Sequence, residues 1–211
     1  MKKIAIFIAA WICFTASNAQ TKTEKHINFS GKESLALDLQ IADSIDIQSW
    51  DRNEVYVTAS VNINDNKDND AYLISFSDSG SDVEVNANFK KEYFKGKNNC
   101  CTTSDIRWKV FIPEKIPFSV ETINGNITIT GRTGEMKIKS ISGFIDLAVP
   151  ASKPADIEFS TISGTVFTDH KLAMEARSKG IPSVIREKLN NGGPPIKLET
   201  ISGDIFFRKS E

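Results

Sequence analysis

Histidine and cysteine are nearly missing from this 211-residue chain, which has two of the first and three of the second. Protein zinc sites need several Cys or His ligands at set spacings, and neither His26 nor His170 has such neighbours. A disulfide-built scaffold is excluded on the same count. Charge of one sign is lacking too: 26 basic side chains face 27 acidic ones, for a net charge of −1. No basic field exists to attract nucleic acid or an anionic lipid surface. The Gly-x-Ser-x-Gly turn of serine hydrolases is absent. After residue 20, no apolar run approaches the roughly 18 to 20 residues that span a bilayer.

The first residues carry an export signal. Lys2 and Lys3 precede an apolar run from Ile4 to Phe14, and small residues follow up to Ala19. Cleavage is expected after Ala19, leaving 20–211 as the mature chain. The apolar run is too short for an anchor helix, and bulky Trp11 and Ile12 before Cys13 argue against lipidation. Cleavage would leave Cys100 and Cys101, which are adjacent. Neighbouring Cα atoms stand about 3.8 Å apart, below the usual disulfide range of about 4.4–6.8 Å. The pair reads as two loop thiols, with a strained vicinal disulfide or an intermolecular bridge as the alternative. It is the one candidate redox pair.

What the chain has in abundance is a repeat. FSVETINGNITI (118–129), MKIKSISGFIDL (136–147), IEFSTISGTVFT (157–168) and IKLETISGDIFF (196–207) align without gaps. Apolar and polar residues alternate before and after a glycine, the pattern of two short strands meeting at a corner. Phe118, Met136, Ile157 and Ile196 form one inward column. Val120, Ile138, Phe159 and Leu198 form a second, and Ile127, Ile145, Val166 and Ile205 a third. One unit cannot bury its apolar face alone, whereas stacked units share a core. Thr122, Ser140, Thr161 and Thr200 make a hydroxyl ladder placed to satisfy backbone groups at the bend. Gly125, Gly143, Gly164 and Gly203 are expected to supply the backbone freedom of the corner, and Gly134 to mark the opposite corner.

The fold expected is all-β, a β-solenoid-like stack of glycine-cornered strands, with a β-sandwich as the structural rival. A degenerate coil or an insertion is expected between the third and fourth units. Strands at about 27–112 are expected to cap a repeat stack at about 113–209 within one domain. Arg208 and Lys209 would then charge an exposed last edge. In the segment 169–193, Lys171–Lys179 suggests a short helix and Ser183–Leu189 a strand.

The recurring T-[IV]-[SN]-G-x-[IV] units, the segment Ser49–Val55 (SWDRNEV) and Leu189–Gly193 (LNNGG) resemble the bacterial putative-adhesin family. Its members are extracytoplasmic β-repeat domains, also catalogued as a domain of unknown function. The resemblance implies a β-solenoid-like fold, an envelope or surface location and no established catalytic residues.

Candidate chemistry is sparse. The acidic loop Asp65–Asp70 has Lys67 and Asp70 where a calcium loop wants an oxygen ligand and a glycine. Glu121, Asp146, Glu158, Glu199 and Asp204 would lie on outer walls, where some β-helical enzymes cut polysaccharides with paired carboxylates. No cofactor or metal is expected. Phe144, Phe167 and Phe206 fall at outward positions after the corner and form the candidate contact surface. Residues 169–193 folding over Phe167 and Phe206 as a lid are the competing expectation. The function expected is a non-catalytic exported envelope protein, an adhesin or binding scaffold for a protein or glycan partner. An accessory of envelope stress signalling and a polysaccharide-active enzyme are the alternatives.

Overall fold

The computed structural model describes residues 20–95, 102–172 and 183–210. The leader, Cys100 and Cys101, and nearly all of the helix expected over Lys171–Lys179 lie outside the described residues. Where apolar and polar residues alternate, the chain is strand, and among the described residues there is no α-helix. The first half holds β1 (Thr21–Asn28), β2 (Ser34–Leu39), β3 (Ile41–Trp50), β4 (Glu54–Ile63), β5 (Tyr72–Ser77), β6 (Asp82–Phe89) and β7 (Ser104–Pro113). The second holds β8 (Phe118–Thr130), β9 (Met136–Ser142), β10 (Ile145–Pro150), β11 (Ala155–Ser163), β12 (Val166–Thr168), β13 (Ser183–Leu189), β14 (Pro195–Ser202) and β15 (Ile205–Ser210). β13 falls where the sequence placed a strand.

Three repeats fold as two strands around their glycine, while in the first β8 runs unbroken through Gly125, and in all four equivalent residues stand beside one another. Val120 pairs with Ile138, Ile138 with Leu198, and Leu198 with Phe159, all between parallel strands. After the corner, Ile127, Ile145, Ile205 and Val166 continue in the same way. In-register parallel ladders between successive coils define a solenoid-like stack, whereas hairpins and Greek keys give antiparallel ones. The fold is therefore the β-solenoid-like one.

Two walls result, one of strands before the corner and one of strands after it. Their inward columns form a single apolar cluster; Phe159 of the first wall meets Phe207 of the second at a ring separation of 5.3 Å. Burying a large side chain of this kind contributes about 2–3 kcal/mol.

The order of coils departs from the order of the chain. The unit β14/β15 lies between β9/β10 and β11/β12, so the fourth repeat is inserted between the second and third. Among the described residues between repeats three and four, the element found is an inserted strand. It is β13, which runs antiparallel along the outer side of β11 before the chain returns to the middle. A similar exchange occurs in the first half. β2/β3 sits beside β8, and β6/β7 lies outside β2/β3. These early strands are thus coils of the stack itself, and the antiparallel strands β1, β4 and β5 close that end.

β15 pairs with β10 along its whole length and with β12 over Ile205–Phe207, so the charged end, Arg208 and Lys209, lies beyond the β12 ladder. Arg208 donates to Asp146 on β10 and so neutralises a neighbouring coil.

Candidate functional site

The corner is where the sequence repeats most strictly, and its geometry explains why. A Cβ on Gly164 would sit on the carbonyl oxygen of Gly203. One on Gly203 would sit on that of Gly143, and one on Gly143 on that of Gly125. Of these four glycines only Gly143 has a positive φ, at +111°. Close approach of stacked backbones is thus a reason at every corner, and freedom of φ is a second one at Gly143. Beneath the glycines, Thr122 donates to Asn124 O at 3.1 Å and Ser140 to Ser142 O at 2.9 Å. Thr161 reaches across to Gly203 O at 3.4 Å. Three of the four hydroxyls therefore satisfy backbone carbonyls at the bend.

On the outer face of the second wall, the stack brings the three predicted phenylalanines together. Phe206 stacks on Phe167 with centroids 5.1 Å apart and meets Phe144 edge-on at 6.0 Å. They come from β15, β12 and the residue before β10, so coil order puts Phe206 in the centre. Phe167 is 47% exposed, while Phe144 and Phe206 are half-buried, and residues 173–182, the middle of the lid expected over 169–193, lie outside the described residues. His170 turns inward instead and stacks on buried Phe207 at 4.5 Å. Asp146 and Arg208 form a two-pronged ion pair on the same wall, and this bond holds the guanidinium pKa above its ordinary value.

A second apolar row was missed by the sequence reading. Ile123, Ile141, Ile201 and Ile162, the residues two before each corner glycine, are each 45–49% exposed on the outer face of the first wall. The signal was available. Alternation makes this position outward, yet all four repeats place isoleucine there while the other outward columns of this wall vary between Ser, Lys and Glu. The isoleucines line a groove of about 420 Å³ whose rim carries Asp38, Glu121, Lys139 and Glu199. Burial, and then the charge of Glu121, push the Asp38 carboxyl above the ordinary aspartate value.

The outer-wall carboxylates are not poised as an acid and base pair. Glu121 faces Lys139 at 3.5 Å, Glu158 accepts from Arg186 at 2.8 Å, and Asp204 accepts from the Thr165 N–H at 2.8 Å. The Arg186 bond holds Glu158 below the usual glutamate value, whereas a general acid needs its pKa raised. Among the described residues, no group of three or more His, Cys, Asp or Glu could hold a metal ion. Nor, among them, is any helix long and apolar enough to cross a membrane.

A comparison with curated proteins finds none that match. Among solved structures, a "putative cell adhesion protein" from Clostridium sporogenes is similar, with TM-score 0.62 and 14% identity. The likeness covers 91% of this chain and all of that one, and shows a shared fold. A "putative lipid binding protein" from Parabacteroides distasonis covers 90% of this chain and 97% of its own at 9% identity, with TM-score 0.27. A "putative adhesin" from Bacteroides fragilis covers 92% and 99% at 9% identity, with TM-score 0.26. The family described as Toastrack DUF4097 matches residues 14–207, the whole corner-repeat region included, and the chain belongs to that family.

Proposed function

We propose that this is a non-catalytic, exported cell-envelope protein, a single domain after cleavage at Ala19, that holds a protein or glycan partner against the Phe144–Phe206–Phe167 row. The observation that carries the reading is the row itself. Three aromatic rings meet in one continuous line on strands whose backbones are fixed by pairing. Exposed rings on a rigid face bury area at little conformational cost, and they can stack on the apolar face of a sugar or an aliphatic side chain. Arg208 and Asp146 add fixed polar partners at the rim. The charge-paired carboxylates of the walls support a surface that binds without cutting.

Two measurements test the proposal. Surface proteolysis of intact cells should degrade the native protein, and full protection would remove a direct adhesive role. Binding of the purified mature chain to a glycan and envelope-protein panel should fall at least tenfold with Phe167→Ala/Phe206→Ala, without release of cleaved sugar. Unchanged binding by that variant would move the contact surface elsewhere.

A further inference from the structure

We propose that the ridge Ile123–Ile141–Ile201–Ile162 is a docking groove for a basic amphipathic helix of a partner protein. This goes beyond the aromatic surface, which lies on the other wall and shares no residue with it. The four isoleucines are outward and half-exposed, and so contribute less to the interior than any inward column. Their recurrence in every repeat contrasts with the next outward column, which reads Glu121, Lys139, Ser160 and Glu199. An aliphatic line kept at a solvent-facing position points to an occupant.

Spacing selects the kind of occupant. Adjacent coils are about 4.8 Å apart, so the ridge offers an apolar group at that interval over roughly 14 Å. A helix presents its apolar face once per turn, about every 5.4 Å, and about ten helical residues match the length. An extended strand presents same-side groups about every 6.7 Å and falls out of step by the third contact.

Charge selects the flanks. Lys139 faces Glu121, and no ion pair engages Asp38 or Glu199 among the described residues. The groove rim therefore carries two uncompensated carboxylates and favours Lys or Arg beside the helix's apolar stripe. The same two charges oppose a face-to-face second copy of this chain and an anionic lipid surface.

The test uses fluorescein-labelled 14-residue peptides with leucine at i, i+4, i+7 and i+11. One carries flanking lysines and the other carries glutamates at the same places. Anisotropy against the mature protein should show saturable binding of the lysine peptide and at least tenfold weaker binding of its glutamate twin. Ile141→Ser/Ile201→Ser should weaken the lysine peptide at least tenfold with an unchanged melting temperature. Should that variant lose its fold, Asp38→Asn/Glu199→Gln gives the same reading through the charge arm. Equal affinity for the two peptides overturns the proposal, as does undiminished binding by the variants. So would phosphatidylglycerol-vesicle binding or concentration-dependent dimerisation that the isoleucine variant abolishes; these assign the ridge to a membrane or to a second copy.

Discussion

At Gly203 an added methyl group would meet the backbone of the neighbouring coil, and backbone cannot rotate away. Gly203→Ala should therefore cost about 3 kcal/mol, because an over-packed core must shift whole strands. Gly125→Ala is the graded control: the nearest atom, Ala42 O, stands 3.1 Å away, and the cost should be about 1 kcal/mol. Urea midpoints for both variants at constant m-value check the ranking, and equal losses would mean that chain freedom rather than contact governs the corner. At this scale the sequence was only partly legible. The glycine positions were evident, but φ and close approach leave the same one-letter trace. The isoleucine before each corner was passed over because an apolar residue beside an apolar strand reads as core unless its parity is counted.

Among the elements, β13 shows how an outer strand is held. It runs antiparallel on β11, and Arg186 on β13 bonds Glu158 on β11 at 2.8 Å. The bonded carboxyl titrates below its ordinary value of 4.5. A lowered folded-state carboxyl contributes stability that is present above pH 4.5 and lost as pH falls through the folded-state value. The Arg186→Ala variant should thus melt slightly below the parent at pH 7, with the gap closing in strong acid. The gap should be small because Arg186 is largely exposed and Glu158 partly so. Melting curves at pH 7 and pH 3 decide, and a gap that persists at pH 3 would place the effect in packing. Element by element, alternation revealed strands through the first half, β13, and the register of every repeat. The neighbour of each repeat was hidden for a physical reason. When all coils share one pattern, Ile138 can lie beside Phe159 or Leu198 with the same alternation and the same glycine alignment, so local sequence does not rank the arrangements.

For the whole molecule, that degeneracy meets an inserted last repeat. In a solenoid built in chain order, removing the final repeat trims one increment of stability. Here truncation after Gly193 takes β14 and β15 out from between paired coils. The truncated chain should lose its cooperative melt and its near-ultraviolet circular dichroism. A sharp transition at reduced temperature would instead show that β9 and β11 have found each other. The insertion also shapes how such a chain can lengthen in evolution. A duplicated repeat appended after β15 would find both flanks of that coil already occupied, and antiparallel strands lie on the outermost coils, β13 on β11 at one end and β4 and β5 on β7 and β6 at the other. New turns fit between β8 and β9/β10, where neighbours along the polypeptide are also neighbours in space. Longer relatives should therefore have grown from the middle, keeping both tips while widening the distance between them.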